Sequence, residues 1–513
     1  MKILSIPLLA HDASICILED GKIISYQMEE RFSRNKHDLN FDCILDNLKD
    51  TFFDKVIITQ HFLDNYTYPL EKVKEKLSKI SYQELIIEEE VHHLYHAYSG
   101  FYNSGFDEAI CFSVDASGAI LNSGEIEIES VYHLNKDNKE VHLHQRTREF
   151  RTVKVNNNFW KYISSLDENN LSVGEKFCKY SELFGYNAID GAGKIMGLAQ
   201  YKNHKEKLQY PYNTKEWKER VDEAYNLQKE TQTHISNLIS KYTEETGVKN
   251  VVISGGYGLN CVANYHYLKN LKDINLYIDP ICFDAGISIG AAYYHTSDKS
   301  KIEPLSNVYI GYQEESYDLT ELETKKVSYE DVVNLLLQQN IVALFQGKSE
   351  AGQRALGNRS LLFDPRVFNG KDLVNQIKRR ENFRPFAGSI LLEEASKWFD
   401  MLSLQESPYM QYAMDAYENA IEQVPAIIHA DNTCRIQTVS QEQNQHFYNL
   451  ISCFFEKTGV PMLLNTSFNL GGEPLVETFE HAIHTLKNSS IEYLYLPEIE
   501  TLVTIKNKKL MYQ

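Results

Sequence analysis

Nothing in these 513 residues pairs cysteines as CxxC, sets histidines as HExxH, or strings together the roughly 18 apolar residues that cross a bilayer. Each absence removes a class of protein. The eight cysteines (Cys16, Cys43, Cys111, Cys178, Cys261, Cys282, Cys434 and Cys453) are dispersed through apolar or strand-like stretches, as reduced thiols are. The N-terminal MKILSIPLLAHDAS is apolar but meets His11 and Asp12 too early for a secretory apolar core and cleavage site. A soluble, cytoplasmic chain is expected, with no membrane partner. Basic residues are also short: 52 Lys and Arg against 71 Asp and Glu leave a formal net charge of −19. That argues against nucleic acid as a main partner, because a phosphate backbone asks for spread-out basic surface. Low-complexity tracts are absent, and the length calls for two or three domains.

Arginine is scarce, with thirteen in the chain, yet Arg354, Arg359, Arg366, Arg379, Arg380 and Arg384 fall within 31 residues. An acidic protein that concentrates its planar, permanently charged donors in this way is expected to build a pocket for a phosphate or carboxylate. The competing reading is an ion-paired helix surface. Gly352, Gly357, Pro365 and Pro385 count against it, since they break the segment into turns.

The pattern along the chain is α/β. Residues 2–8 read as a strand ending at His11 and Asp12, followed by ICILED, an Asp20-Gly21 turn and KIISYQME as a hairpin. A similar order returns at AICFSVDASGAI and GEIEIESVYHL. Strand, aspartate with small residues, then hairpin is the order of the duplicated ribonuclease-H-like halves in the actin, sugar-kinase and heat-shock ATPase superfold. NVVISGGYGLNCVAN reads as a buried strand, a Gly255-Gly256 turn and a helix start, a loop suited to a nucleotide. Residues 202–247, rich in Lys, Glu and Gln, read as amphipathic helices on the outside of the first domain. Polar, irregular sequence from 299 to 326 marks a boundary, so that residues 1–320 and 321–513 form two domains. The second opens with a helix in SYEDVVNLLLQQN and a short buried strand in IVALFQG.

In EVHHLYHAYSGFY, His92 and His96 are four apart, share one helix face and can ligate one ion, while His93 points elsewhere. Asp115 after FSV and Asp284 in PICFDAGISIGAA are carboxylates that could complete the sphere. Two histidines with one or two aspartates suit iron(II), manganese or zinc. His142 and His144 in VHLHQ read as surface residues of a strand.

Ten ordered motifs spanning nearly the whole chain resemble the O-carbamoyltransferases that include the tobramycin, cephalosporin and nodulation-factor enzymes. They are HDAS at His11, EERFSRNKH at Glu29, HHLYHA at His92, GKIMGLAQY at Gly193, SGGYGLNCVAN at Ser254, DAGISIGAA at Asp284, SEAGQRALGNRS at Ser349, RRENFRPFA at Arg379, HADNTCRIQTV at His429 and PMLLNTSFNLGGEPLV at Pro461. Gln353, Gly388 and Gln200 stand where the family pattern leads one to expect proline, and Asn432 where it leads one to expect glycine.

The resemblance implies an actin/sugar-kinase-like N-terminal domain that transfers a carbamoyl group to a substrate hydroxyl, and a YrdC-like α/β C-terminal domain that makes carbamoyl-adenylate from carbamoyl phosphate and ATP. It implies His92, His96, Asp115 and Asp284 as ligands of a divalent metal, iron(II) first, with magnesium accompanying ATP. Gly255, Gly256 and Asn260 would lie near the adenylate, Lys194 at its phosphate, and His11 would be the base for the acceptor hydroxyl. In the second domain Arg354, Lys378, Arg435 and Ser467 would hold carbamoyl phosphate and the ATP phosphates, supported by Arg384, Asn465 and Thr433. The expected partners are carbamoyl phosphate, ATP and a hydroxyl-bearing small molecule such as an antibiotic or sugar, with a homodimer among the expected assemblies.

Two other classes share parts of this pattern. A relative of the threonylcarbamoyl-type tRNA-modifying enzymes would need the basic surface this chain lacks. A non-enzymatic nucleotide-dependent sensor on the actin-like superfold would have no use for a metal cluster plus an arginine pocket.

Overall fold

The computed structural model describes residues 1–48, 51–60, 67–137, 140–149 and 167–506. They form two compact units: Met1–Met196 with Asp222–Ser306, and Gly197–Val221 with Asn307–Gln513.

In the first unit β1 (Lys2–Leu8), β2 (Ser14–Glu19), β3 (Lys22–Met28), β4 (Phe52–Gln60) and β5 (Ser81–Glu89) make one sheet in the order β3-β2-β1-β4-β5. β1, β2 and β3 are antiparallel, and β4 and β5 run parallel to β1. The tight turn between β2 and β3 rests on Asp20 and Gly21, both at positive φ (50° and 88°), as a two-residue hairpin demands. β6 (Glu108–Ser113), β7 (Glu125–Asn135), β8 (Glu140–Glu149), β9 (Asn250–Ser254) and β10 (Asn275–Ile278) repeat the scheme. Their order is β8-β7-β6-β9-β10, with the same antiparallel and parallel pairings. This double use of one strand order is the duplicated ribonuclease-H-like architecture of actin-like and sugar-kinase-like proteins.

Side-chain alternation explains why both faces of the first sheet need cover. Leu4, Ile6 and Leu8 of β1 join Ile15, Phe41, Ile44, Phe53, Val56, Ile58, Val73 and Leu77 in one core. The opposite face, with Ile3 and Ser5, is fully buried too, and the helix Ile287–Tyr294 packs on β1, β2 and β4. The helix His92–Ser104 follows the first sheet in sequence yet packs on β6, β7, β9 and β10 of the second. The two helices therefore exchange sheets and meet each other. Their contact is made possible by Gly290, where an added Cβ would lie 1.9 Å from the carbonyl oxygen of Tyr95.

The second unit is built on a nine-stranded mixed sheet. Its strands are β11 (Glu323–Lys326), β12 (Val342–Phe345), β13 (Arg359–Phe363), β14 (Ala387–Leu391), β15 (Ala413–Asp415), β16 (Thr433–Val439), β17 (Met462–Ser467), β18 (Tyr493–Leu496) and β19 (Thr501–Thr504). They run in the order β11-β19-β18-β12-β13-β17-β14-β16-β15. The expected helix forms over Tyr329–Leu337, started by a Ser328–Asp331 capping box, and leads into β12. The Lys- and Glu-rich stretch is one helix, Lys215–Thr246, and residues 197–221 pack with the second unit rather than the first. No helix among the described residues is long and apolar enough to cross a membrane.

Gly290→Ala should lower unfolding free energy by about 1–3 kcal/mol, because the helix backbones must move apart to admit one methyl group. A denaturant titration showing an unchanged midpoint would refute this account of the helix contact.

Candidate metal centre and cationic cluster

His92 opens its helix and His96 stands one turn on, so both rings leave the same face, and both are fully buried. Asp115 lies just beyond β6, in a segment fixed by Val114 N–H donating to Ser254 O (2.9 Å) and Tyr257 N–H donating to Val114 O (3.1 Å). Asp284 begins the turn that leads into Ile287–Tyr294. His96 Nε2 is 3.1 Å from Asp115 Oδ2 and 3.6 Å from Asp284 Oδ1, and His92 Nε2 is 3.7 and 3.8 Å from the same two oxygens. One ligand atom from each of the four residues lies within 4.8 Å of the others.

Two buried carboxylates facing one another repel, and the protonation pattern reflects it. Burial pushes the Asp284 carboxyl up and the Asp115 charge pushes it further. Burial works against a charged His96, but its hydrogen bonds to Asp115 and Asp284 outweigh that and raise it to about 9. Asp115 is held well below the usual carboxylate range by His92 and His96, despite its burial. A divalent ion fits this donor set, since two imidazole nitrogens and two carboxylate oxygens around one point are a tetrahedral or open octahedral set, and a cation removes the repulsion. His93 does point elsewhere, its Nδ1 lying 2.8 Å from Ser130 Oγ.

Gly255 and Gly256 lie against this cluster. Gly255 has φ of 89° and an added Cβ there would fall 2.3 Å from Val114 O, while one on Gly256 would fall 3.0 Å from Asp115 Oδ1. Asn260 caps the helix Cys261–Asn270 by accepting from Ala263 N–H (3.1 Å), and it exchanges hydrogen bonds with Gln228. Its amide is thus already engaged. Lys194 stacks its ammonium over Tyr186, 4.2 Å from the ring centroid. His11 reaches the cluster, with Nε2 3.7 Å from Asp284 Oδ2 and Nδ1 2.8 Å from Asp12 Oδ2.

Sequence reasoning missed Asp12 and His37. Asp12 is 3% exposed and lies between two imidazoles, because His37 Nδ1 is 2.8 Å from its other oxygen. His37 Nε2 is in turn 3.2 Å from Asp190. The available signal was the pairing of HDAS with the terminal NKH of the second motif, two segments whose backbones join through Ala13 N–H to Asp38 O and Glu29 N–H to Ala13 O.

In the second unit the six clustered arginines divide. Arg359 is fully buried, lies over Phe345 at 3.8 Å, and donates to the carbonyls of Tyr312, Gln346, Gly347, Asn358 and Glu477. Arg366 is paired with Asp364 through two bonds of 3.0 and 2.7 Å, and Arg379 donates to Asn488 O. These three are occupied with holding the fold, so the expectation of a six-arginine pocket contracts. Arg354 sits half-buried in the loop before β13.

Arg380, Arg384, Arg435 and Lys378 are near enough to act on one another. Burial and then the charges of Arg380 and Arg384 push the Lys378 ammonium well down, and Arg384 and Arg435 do the same to Arg380 after its own burial. Lys378 is 2% exposed and donates to Ser467 O, to Ser467 Oγ (3.3 Å) and to Asn469 (2.9 Å), so Lys378 and Ser467 are brought together. Arg384 is 3.6 Å from Glu381. Register places Asn465 and Arg435 on either side of Ala387, on one face of the sheet. Arg435 Nε has no hydrogen-bond partner among the described residues. Asn465 Nδ2 donates to Ser389 Oγ, Gln437 Oε1 and Ala355 O, which makes it a brace for the arginine-bearing loop. Thr433 donates to Asp431 and touches His429 Nδ1 (3.1 Å), outside the contacts of Lys378. Asn432, where glycine was expected, has φ of 63°, a left-handed conformation that Asn tolerates. Gln200 lies 3.0 Å from His429 Nδ1.

Of the two histidines assigned to the surface of β8, His142 is exposed as expected, while His144 is half-buried. His142 stacks on Tyr132, and His144 Nε2 is 3.2 Å from the buried Glu129, which also takes His234 at 2.7 Å. Despite burial, these partners hold the Glu129 carboxyl down to about 2.

The chain is similar to known proteins along nearly its whole length. The carbamoyltransferase N-terminus family matches residues 214–293 and the carbamoyltransferase C-terminus family residues 333–502. An uncharacterized protein of Synechocystis is 30% identical, covering 96% of this chain and 95% of its own length. Nodulation protein NolNO of Sinorhizobium fredii is 28% identical over 94% of this chain and 78% of its own. The 3'-hydroxymethylcephem-O-carbamoyltransferase of Amycolatopsis lactamdurans is 32% identical over 44% of this chain and 43% of its own. The protein is a transferase and belongs to the carbamoyltransferase family.

Purified protein should carry about one divalent transition metal per chain, and His96→Ala should lose it. Full metal content in that variant, by elemental analysis, would remove His96 from the ligand set.

Proposed function

We propose that the protein is an ATP-dependent O-carbamoyltransferase acting on a hydroxyl of a small-molecule acceptor in the cytoplasm. The observation that carries this reading is that a carbamoyltransferase chain holds both a buried two-histidine, two-aspartate cluster and a separate cluster of buried and half-buried cationic side chains. Residues 321–513 would form the YrdC-like activating domain, and residues 1–320 the transferring domain.

A carbamoyl carbon is a poor electrophile because the nitrogen lone pair feeds it, so an alcohol attacks it only with a good leaving group in place. Carbamoyl phosphate, water and ATP would give phosphate, pyrophosphate and carbamoyl-adenylate, and the alcohol would then displace AMP. In the activating step Lys378, Arg380, Arg384 and Arg435, whose mutual repulsion an anion relieves, would bind the phosphates, with Arg354 and Ser467 beside them. Asn465 and Thr433 would support them.

For transfer, Gly255 and Gly256 would let the adenylate approach closely, and Lys194 would meet its phosphate. His11, aimed at Asp284 by Nε2, would take the proton of the acceptor hydroxyl. His92, His96, Asp115 and Asp284 would hold a divalent metal, with iron(II) the favoured ion and manganese or zinc alternatives, supplying Lewis acidity toward a carbonyl oxygen. Acceptors related to those in the names of the cephem and nodulation relatives are the first to test.

Arg435→Ala should weaken phosphate-ligand binding by roughly 1.5–3 kcal/mol. Lys378→Ala should stop carbamoyl-phosphate-dependent release of pyrophosphate from ATP, yet leave transfer from supplied carbamoyl-adenylate. Normal pyrophosphate release by both variants would overturn the activating assignment.

A further inference from the structure

His11 is the one member of the first site whose ring is not fixed by a helix. It lies in the loop between β1 and β2, where one imidazole nitrogen faces Asp12 and the other faces Asp284. What keeps it in that orientation is not its own backbone. Asp12 Oδ2 takes the His11 Nδ1 at 2.8 Å, and Asp12 Oδ1 takes the His37 Nδ1 at 2.8 Å. His37 is then held at both ends: its Nε2 is 3.2 Å from Asp190 Oδ1, which Lys36 also engages, and its backbone N–H donates to Glu30 Oε2 at 2.9 Å.

The clamp is held by residues in an uncommon conformation. Asp12 and His37 both have φ of 57°, in the left-handed region that most side chains avoid. Two non-glycine residues in that region, bonded to one another from segments 25 positions apart, are an arrangement that the surrounding structure must enforce. Asp12 is 3% exposed, so a buried carboxylate is kept by its two imidazole partners. Glycine at either position would relieve the backbone, but it would forfeit these side-chain hydrogen bonds.

We infer that Asp12, itself braced by His37, is a positioning residue for His11, fixing Nδ1 as the hydrogen-bond donor and so directing Nε2 toward Asp284. Asp12 does for His11 what a carboxylate does for a catalytic imidazole generally: it sets ring orientation and tautomer. His37 and Asp190 extend the clamp to a partly exposed carboxylate, and the segment from Glu29 to Asp38, which begins as the short helix Glu29–Ser33, acts as its frame. The inference rests on the reading of His11 as the residue that meets the acceptor hydroxyl, but the clamp can be tested without any acceptor.

Glycine suits the left-handed backbone at both positions, so Asp12→Gly and His37→Gly remove side chains without adding strain. The full-length protein, labelled with 15N-histidine, should show a downfield imidazole N–H proton signal that disappears in His11→Asn and is thereby assigned. In Asp12→Gly that signal should be lost and the crystal structure should show the His11 ring turned from Asp284. His37→Gly should shift the signal, and Asp12→Asn, which keeps one hydrogen bond, should keep the ring in place with an altered signal. Metal content should persist in all three, which separates loss of the clamp from collapse of the site. An unchanged His11 signal and ring position in Asp12→Gly would overturn the inference. If instead the clamp behaves as described but His11→Asn transfers carbamoyl groups at the normal rate, the base assignment fails and the positioning result stands.

Discussion

Two carboxylates that must face each other out of water govern the first unit. Asp115 follows the first strand of the second sheet and Asp284 follows its last, and neither tolerates the other without positive charge nearby. The helix His92–Ser104 answers this by placing two imidazoles between them. That placement requires the helix to leave its own sheet and pack on the second, and Gly290 lets the return helix pass close against it. Sheet order, helix exchange and ligand geometry are thus linked through one electrostatic demand.

The second unit solves the reverse problem, that of gathering like positive charges. Only part of its arginine cluster remains available for a ligand. Arg359 is wrapped in five backbone carbonyls and Arg366 is neutralised by Asp364. Burial and the neighbouring guanidinium groups disfavour the charged forms of Lys378 and Arg380, and an anionic ligand would stabilise them.

Much of this was legible in the sequence for physical reasons. Strand alternation and the Asp20-Gly21 turn specify the first hairpin locally, and the i, i+4 spacing of His92 and His96 sets both rings on one face before any tertiary contact is known. Asp115 and Asp284 were found because each follows a strand and is followed by small residues. What stayed hidden depends on distant partners. Nothing local says that Arg359 turns inward while Arg435 does not, that Asn260 spends its amide on a helix cap and Gln228, or that His37 crosses 25 positions to meet Asp12. Capping chemistry at Asn260 could have been read from its place before a helix; the fate of each arginine could not.

The exchange of helices between the two sheets also bears on how the chain acquires its structure. The first sheet has all its strands by Glu89, but one of its faces waits for a helix that ends at Tyr294. As the chain emerges during synthesis, that face stays uncovered while about two hundred further residues are made, and closure then depends on contacts between segments far apart in sequence, which form slowly. The N-terminal part of the molecule therefore cannot mature as an independent early domain, and its most vulnerable surface during biogenesis is the one that later lies beneath Ile287–Tyr294.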